Sequence, residues 1–234
     1  PHYYVNNGAN FENGSDIVVT ILSSDGSSLV GSTYFGGSGN DGLNQDSLVL
    51  VYNYGDMFRG EVVVDDADNI YIASSTRSSD FPTTSGAFDQ TLNGYQDAIV
   101  AKFNPTVSTL VWSTYLGGNG SDAGYSLKHN GLNELYVTGG TVGQNFPISG
   151  NALHTTFQGG TTDGFIARVS NDGSTVINSS YIGTSSYDQS YIVDIDANED
   201  IYLVGQSTGN SPVSNGVYSI LNGRQVIKKF TTYL

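Results

Sequence analysis

The residues of this 234-residue chain whose types and spacing suit chemistry are mostly carboxylates. Asp194, Asp196, Asn198 and Asp200 alternate as the ligands of a calcium loop do, but the glycine and the distant glutamate that complete an EF-hand are missing. A second set, Asp41, Asp122 and Asp188, recurs in register: each follows a tyrosine (Tyr34, Tyr115, Tyr181) by seven residues, across a glycine-rich stretch. Two readings are open for these three. The usual role of aspartate in such bends is to accept hydrogen bonds from turn N–H groups. Three carboxylates gathered at one place would instead bind a ligand. Nothing else in the sequence spells catalysis. His2, His129 and His154 fall at unrelated positions, there is no cysteine, and no Ser/His/Asp spacing, HExxH or phosphate loop is found. The chain therefore reads as a protein without cofactor and without enzymatic activity. The alternative is a glycan hydrolase using two channel carboxylates, because sequence does not fix the separation of acidic side chains.

Those residues sit in a repeat. DAIVAKF, a turn, and LVWSTYLGG run from Asp97; close copies begin at Asp16 (DIVVTIL, LVGSTYFGG) and Asp163 (DGFIARV, VINSSYIGT), and a truncated one at Arg224 (RQVIKKF). Aspartate and tyrosine are 18 residues apart in all three full copies, whose starts and that of the fourth lie 81, 66 and 61 residues apart. Periods of this size mark propeller blades or related arrays. Short Val/Ile/Thr/Tyr-rich runs joined by turns such as Ser23-Ser24-Asp25-Gly26 and Asn171-Asp172-Gly173 read as hairpins. In Asp97 to Phe103 both alternate sets are largely apolar, as in a strand sandwiched between layers. A second hairpin pattern, Glu61 to Asp65 with Ile70 to Ser74, recurs at Tyr125 to His129 with Leu135 to Gly139 and at Tyr191 to Ile195 with Ile201 to Gly205. Four strands per period result.

Composition narrows the partners. Thirty glycines and 38% hydrophobic residues suit an all-β chain with many turns. A net charge of −14 repels phosphate backbones, so nucleic acid is excluded as a partner. No run is long enough to insert into a bilayer, and the start, Pro1-His2-Tyr3-Tyr4, is no signal peptide, so the chain reads as processed or as an excerpt.

The combined pattern STYLGGxGxDxxxxxxxDxxxxxYVTGxTxxxxFPxxxxAxxxxxxxxxDAxVAKFN resembles the bacterial seven-bladed β-propeller repeat family, common in large secreted and surface proteins of Bacteroidetes and other bacteria. The resemblance covers Asp16 to Phe230, with departures at Thr184, Ser211 and Arg224 and a 16-residue insertion within Gly42 to Gly60. It implies four-stranded antiparallel blades and a secreted or cell-surface location. It implies no single activity. Ser170 to Thr175 resembles the Asp-box of sialidase-type propellers, itself a structural turn, and Asp46-Ser47-Leu48 resembles the Bacteroidetes acceptor for O-glycosylation at Ser47.

On this reading residues 1–234 form one incomplete propeller segment: the end of a blade (1–41), a blade carrying the insertion at about 42–60 (42–122), a further blade (123–188) and an incomplete one (189–234). Thirteen strands are expected, two, four, four and three per sheet, too many to close as four blades. The topology puts Asp41, Asp122 and Asp188 on one axial face beside the insertion. Apolar and aromatic residues of the insertion, Leu48, Leu50, Tyr52 and Tyr54, are expected to be covered by another protein chain or by packing across the channel mouth. The expected function is a scaffold for protein partners on that face; the alternative is a glycan-binding adhesin.

Overall fold

A computed structural model describes residues 14–44, 49–53, 55–149, 151–212 and 224–231. They form an all-β chain of four antiparallel sheets, and the longest helical piece among them is a 3-10 turn, Asp56–Phe58. No helix among them is long and apolar enough to cross a membrane.

The first sheet pairs β1 (Ile17–Leu22) with β2 (Leu29–Phe35). The second is a meander of β3 (Glu61–Val64), β4 (Ile70–Thr76), β5 (Asp97–Phe103) and β6 (Leu110–Leu116). The third repeats it with β7 (Ser121–His129), β8 (Leu135–Val142), β9 (Asp163–Val169) and β10 (Val176–Ile182). The fourth holds β11 (Asp188–Ile195), β12 (Ile201–Ser207) and β13 (Gln225–Phe230). The strands thus number two, four, four and three, and the tyrosines Tyr34, Tyr115 and Tyr181 hold the same place in β2, β6 and β10.

Sheets stack face to face because their central strands are apolar on both sides. Val19 and Phe35 of the first sheet pack on Ile70, Ile72, Ile99 and Phe103 of the second, where Phe35 meets Phe81 and Phe103 edge-on. Tyr71, Ala98 and Val100 pack on Leu127, Val137 and Phe165 of the third sheet, and Tyr136 and Ile166 on Val193 and Leu203 of the fourth. Polar ties fix the stacking. Glu61 at the start of β3 accepts from the Leu127 N–H at 2.9 Å and the Ser126 hydroxyl at 2.5 Å on β7. Trp112, the only tryptophan, donates its indole N–H to the Asn171 carbonyl at 2.7 Å and lies over Gly173 in the turn between β9 and β10. Gly173 is left-handed (φ +70°), and a Cβ there would come within 2.4 Å of the indole, so two independent constraints require glycine.

Two strands begin earlier than the sequence pattern places them. β7 starts at Ser121 rather than Tyr125 and β11 at Asp188 rather than Tyr191. The extra residues pair normally, but register slips by one at Tyr125 and at Tyr191, forming a bulge in each strand. A bulge re-aims the side chain it carries. The alternation is broken there, which hides the first half of each strand from a period-two reading.

Candidate functional site

Asp41, Asp122 and Asp188 occupy one structural position, opposite Thr76, Thr141 and Ser207 respectively. All three are buried. Asp41 accepts from the Gly37 N–H at 2.7 Å, from the Ser78 hydroxyl at 2.9 Å and from the Thr76 hydroxyl. Asp122 accepts from the Gly118 N–H at 2.8 Å, and Asp188 from the Thr184 N–H at 2.7 Å and its hydroxyl at 2.8 Å. Each carboxylate therefore holds the glycine-rich bend that leads from one sheet into the next. Thr184, which replaces the second glycine, keeps the backbone bond and adds a hydroxyl. No group of three acidic or histidine side chains among the described residues could hold a metal ion.

The first aspartate of each copy faces the same bend, which spacing alone does not reveal. Asp97 accepts from the N–H groups of Asn93 (3.0 Å) and Gly94 (3.3 Å), and Asp163 from that of Gln158. The first glycine of the first two bends is wedged between its two carboxylates: a Cβ on Gly117 would lie 2.7 Å from an Asp97 oxygen and 2.8 Å from an Asp122 oxygen. Gly36 sits likewise between Asp16 and Asp41. Burial dominates the acidity of these groups. It pushes Asp97 up to about 7, with the Asp122 charge adding to it, Asp163 to about 7, with Asp188 adding, and Asp122 to about 6; the hydrogen bonds each carboxylate accepts oppose the rise. Asp41 is raised by burial too, against the bonds from Thr76, Gly37 and Ser78.

The insertion is a cap stitched across three sheets. Leu50 is wholly buried against Ala123 and Tyr125 of β7, with Tyr191 of β11 alongside. Its carbonyl accepts from Asn44 (3.2 Å), the Tyr125 hydroxyl (3.1 Å) and Gln189 (2.9 Å). Gln96, just before β5, donates to Asn44 at 3.0 Å and to the Asp122 carbonyl at 3.2 Å, and Thr162 donates to the Val49 carbonyl at 3.2 Å. Asp56 is buried and orders the next turn, accepting from the N–H groups of Tyr52 (3.1 Å) and Asn53 (2.7 Å), while Arg59 pairs with it at 2.7 Å and lies 4.1 Å above the Tyr191 ring. Asn53 reaches the Tyr191 hydroxyl (2.7 Å) and Gln206 (2.8 Å). Burial raises the hydroxyl pKa values of Tyr125 and Tyr191 well above the ordinary tyrosine range. The two bulges explain the cap: they turn Tyr125 and Tyr191 toward it.

Of the two covers expected for the insertion, Leu50 takes packing within its own chain. Leu50 is spent inside its own chain, where it covers apolar surface that the bulges expose. Tyr52 remains half exposed, its ring 4.5 Å from that of Tyr187, with Arg224 at 3.5 Å from its hydroxyl. Tyr95, exposed under Arg77, adds a second aromatic near the same end of the sheets, close to Gly120. Ser47, Leu48 and Tyr54 lie outside the described residues.

The calcium-like turn is used up by its neighbours. Asp196 accepts from the N–H groups of Asn198 (2.9 Å) and Asp200 (3.0 Å) and from the Tyr202 hydroxyl (3.1 Å), which together hold its pKa below the usual range. Asp194 pairs with Lys128 and Asp200 with Lys229, so the carboxylates point to different cations. The same turn recurs at Asp65, which accepts from Ala67, Asn69 and Tyr71. Alternating acids here make a tight turn between the first two strands of a sheet. The Asp-box-like turn is likewise self-contained, with Asp172 accepting from Ser170 and from both N–H and hydroxyl of Ser174; Asp25 is its twin in the first sheet.

No protein-family model matches the chain, and no curated protein matches it either.

Proposed function

We propose that this chain is part of a β-propeller of the bacterial seven-bladed repeat type, acting without catalysis as a rigid scaffold for protein partners in a secreted or cell-surface assembly. One observation carries the reading: the recurrent carboxylates accept hydrogen bonds from the bends that join the sheets, and the described part of the insertion caps three of the sheets. The polar chemistry of these carboxylates is thus structural, and among the described residues this end exposes the aromatic side chains Tyr52 and Tyr95. Aromatic residues on rigid supports are the usual anchors of protein interfaces. Stacked four-stranded meanders in constant register support the propeller assignment.

A glycan-binding reading has one observation in its favour. Half-exposed Tyr52 lies against Tyr187, next in sequence to Asn53, whose amide already bonds Gln206, a pairing of ring face and amides suited to sugar hydroxyls. The two readings separate in one set of assays. The immobilised chain, wild type and Tyr52→Ala/Tyr95→Ala, is tested for retention of proteins from the culture fluid of the producing cell, for binding to a glycan array, and for hydrolysis of aryl glycosides. A protein retained by the wild type and lost with the two tyrosines is the expected result. Glycan binding lost in the same variant would replace the scaffold reading, and turnover of any glycoside would overturn it.

A further inference from the structure

The repeat builds the same joint between sheets twice, once closed and once open. Between the third and fourth sheets Glu199, left-handed at φ +60° in the turn before β12, reaches back to the Asn130 amide (3.3 Å) and the Tyr136 hydroxyl (3.3 Å), beside Arg168, which pairs with Glu134. Asn133 holds that place in the turn before β8, left-handed at φ +58°, and its shorter side chain bonds nothing among the described residues. The acceptor that Glu199 gives Tyr136 is given to Tyr71 by Asp65 of its own sheet, at 2.9 Å. A cleft of about 370 Å³ is left between the second and third sheets, lined by Asp66 and Ala67 on one side and by His129, Asn130, Gly131 and Asn133 on the other. Both flanking sheets have all four strands, and the cleft lies at the end of β7 opposite to Asp122.

The lining narrows what fits. An anion would meet Asp66 and its neighbour Asp65, and no lysine or arginine lines the cleft; Lys102, the cation of this joint, donates to the Asn171 side-chain oxygen at 3.1 Å. An apolar group would strand the Asp66 carboxylate and the Asn133 amide, neither of which bonds another side chain among the described residues. His129 is fixed at the joint, its ring nitrogens 3.1 Å from the Val64 carbonyl and 3.2 Å from the Asn130 carbonyl and its ring stacked on Tyr71. We propose that the cleft binds an arginine side chain of a protein partner. A guanidinium carries donors only, in a planar fork that matches a carboxylate, and Asp66 with the Asn133 side-chain oxygen supplies the acceptors. The cleft has the size of a small-ligand pocket, and the net charge of −14 draws a cation toward it. This inference is independent of Tyr52 and Tyr95 at the capped end.

Heteronuclear NMR of the whole chain tests it, following the Gly131 and Asn133 amide signals during titration with an end-blocked Gly-Arg-Gly peptide, its Lys, Gln and Glu counterparts, and free arginine. The arginine peptide should shift both signals saturably, and less as salt is added. The lysine peptide should bind more weakly for want of the fork, and free arginine more weakly because its own carboxylate meets Asp66; the Gln and Glu peptides should leave the signals in place. Asp66→Asn should weaken the arginine peptide about tenfold, the loss expected for a hydrogen bond to a charged group. Gly131→Leu, at an exposed position where a Cβ meets open space, should abolish binding by filling the cleft. Both positions are exposed, so circular dichroism and Trp112 fluorescence should be those of the wild type. No shift with the arginine peptide, binding of the lysine, Gln or Glu peptide or of free arginine as tight as that of the arginine peptide, or binding indifferent to both substitutions would each overturn the proposal.

Discussion

Acidifying this protein from pH 8 to pH 5 should stabilise it, against the usual expectation that acid weakens a fold rich in carboxylates. Asp97, Asp122 and Asp163 are buried in the bends between sheets, with pKa values near 7, 6 and 7 in the folded chain and an ordinary value of 3.8. Between about pH 4 and pH 7 the folded state therefore binds protons that the unfolded state has released. Unfolding free energy then falls as pH rises, by about 1.4 kcal/mol per pH unit for each proton of difference. With three such groups the slope between pH 5 and pH 6 reaches about 4 kcal/mol per unit, an upper bound set by how little water enters the bends. Below pH 4 the trend reverses, because Asp65 and Glu134 are held below their usual range by hydrogen bonds and, for Glu134, by Arg168; their contribution is lost as they take up protons. Stability should peak near pH 4 to 5. Urea unfolding at half-unit steps from pH 4 to 8.5 measures this directly. Trp112 reports it, since it is buried between the second and third sheets. Asp97→Asn removes one titrating group but keeps an oxygen for the Asn93 and Gly94 N–H groups, so its slope should be shallower by about one proton. A wild-type stability that is flat or rising from pH 5 to 8, or an Asp97→Asn slope equal to the wild type, would refute the reasoning.

Leu50→Ala should cost about 2–5 kcal/mol by urea unfolding, the range for a leucine deleted from a packed interior, and should raise the susceptibility of residues 42–60 to limited proteolysis. Gly117→Ala drives a methyl group between Asp97 and Asp122 and should lower stability by about 1–3 kcal/mol, read as a drop in melting temperature; Gly131→Ala, where a Cβ meets open space, is the control. Because Asp194, Asp196 and Asp200 are engaged by separate partners, chelator should shift the melting temperature by less than a few degrees, and a larger shift reversed by calcium would contradict that account.

The sequence by itself determined the sheets. Hairpin turns, both-sided apolar strands and a constant 18-residue interval from aspartate to tyrosine specify strand order and the two, four, four, three count, because these are local signals repeated in register. It also pointed to Asp41, Asp122 and Asp188 as recurrent, with turn bonding as their usual role. What spacing could not decide was how much of the apolar insertion would be spent at home. Leu50 packs inward against Tyr125 and Tyr191, which sit at bulges far along the chain, and each bulge breaks the period-two pattern by which a strand is read. Nor could spacing reveal that Asp97 and Asp163 converge on the same bends as Asp122 and Asp188. The partners meet only once successive sheets are stacked, and the burial that raises their pKa values belongs to that stacking. Local chemistry fixed the repeat; the fit of one repeat against the next decided which of its side chains face water.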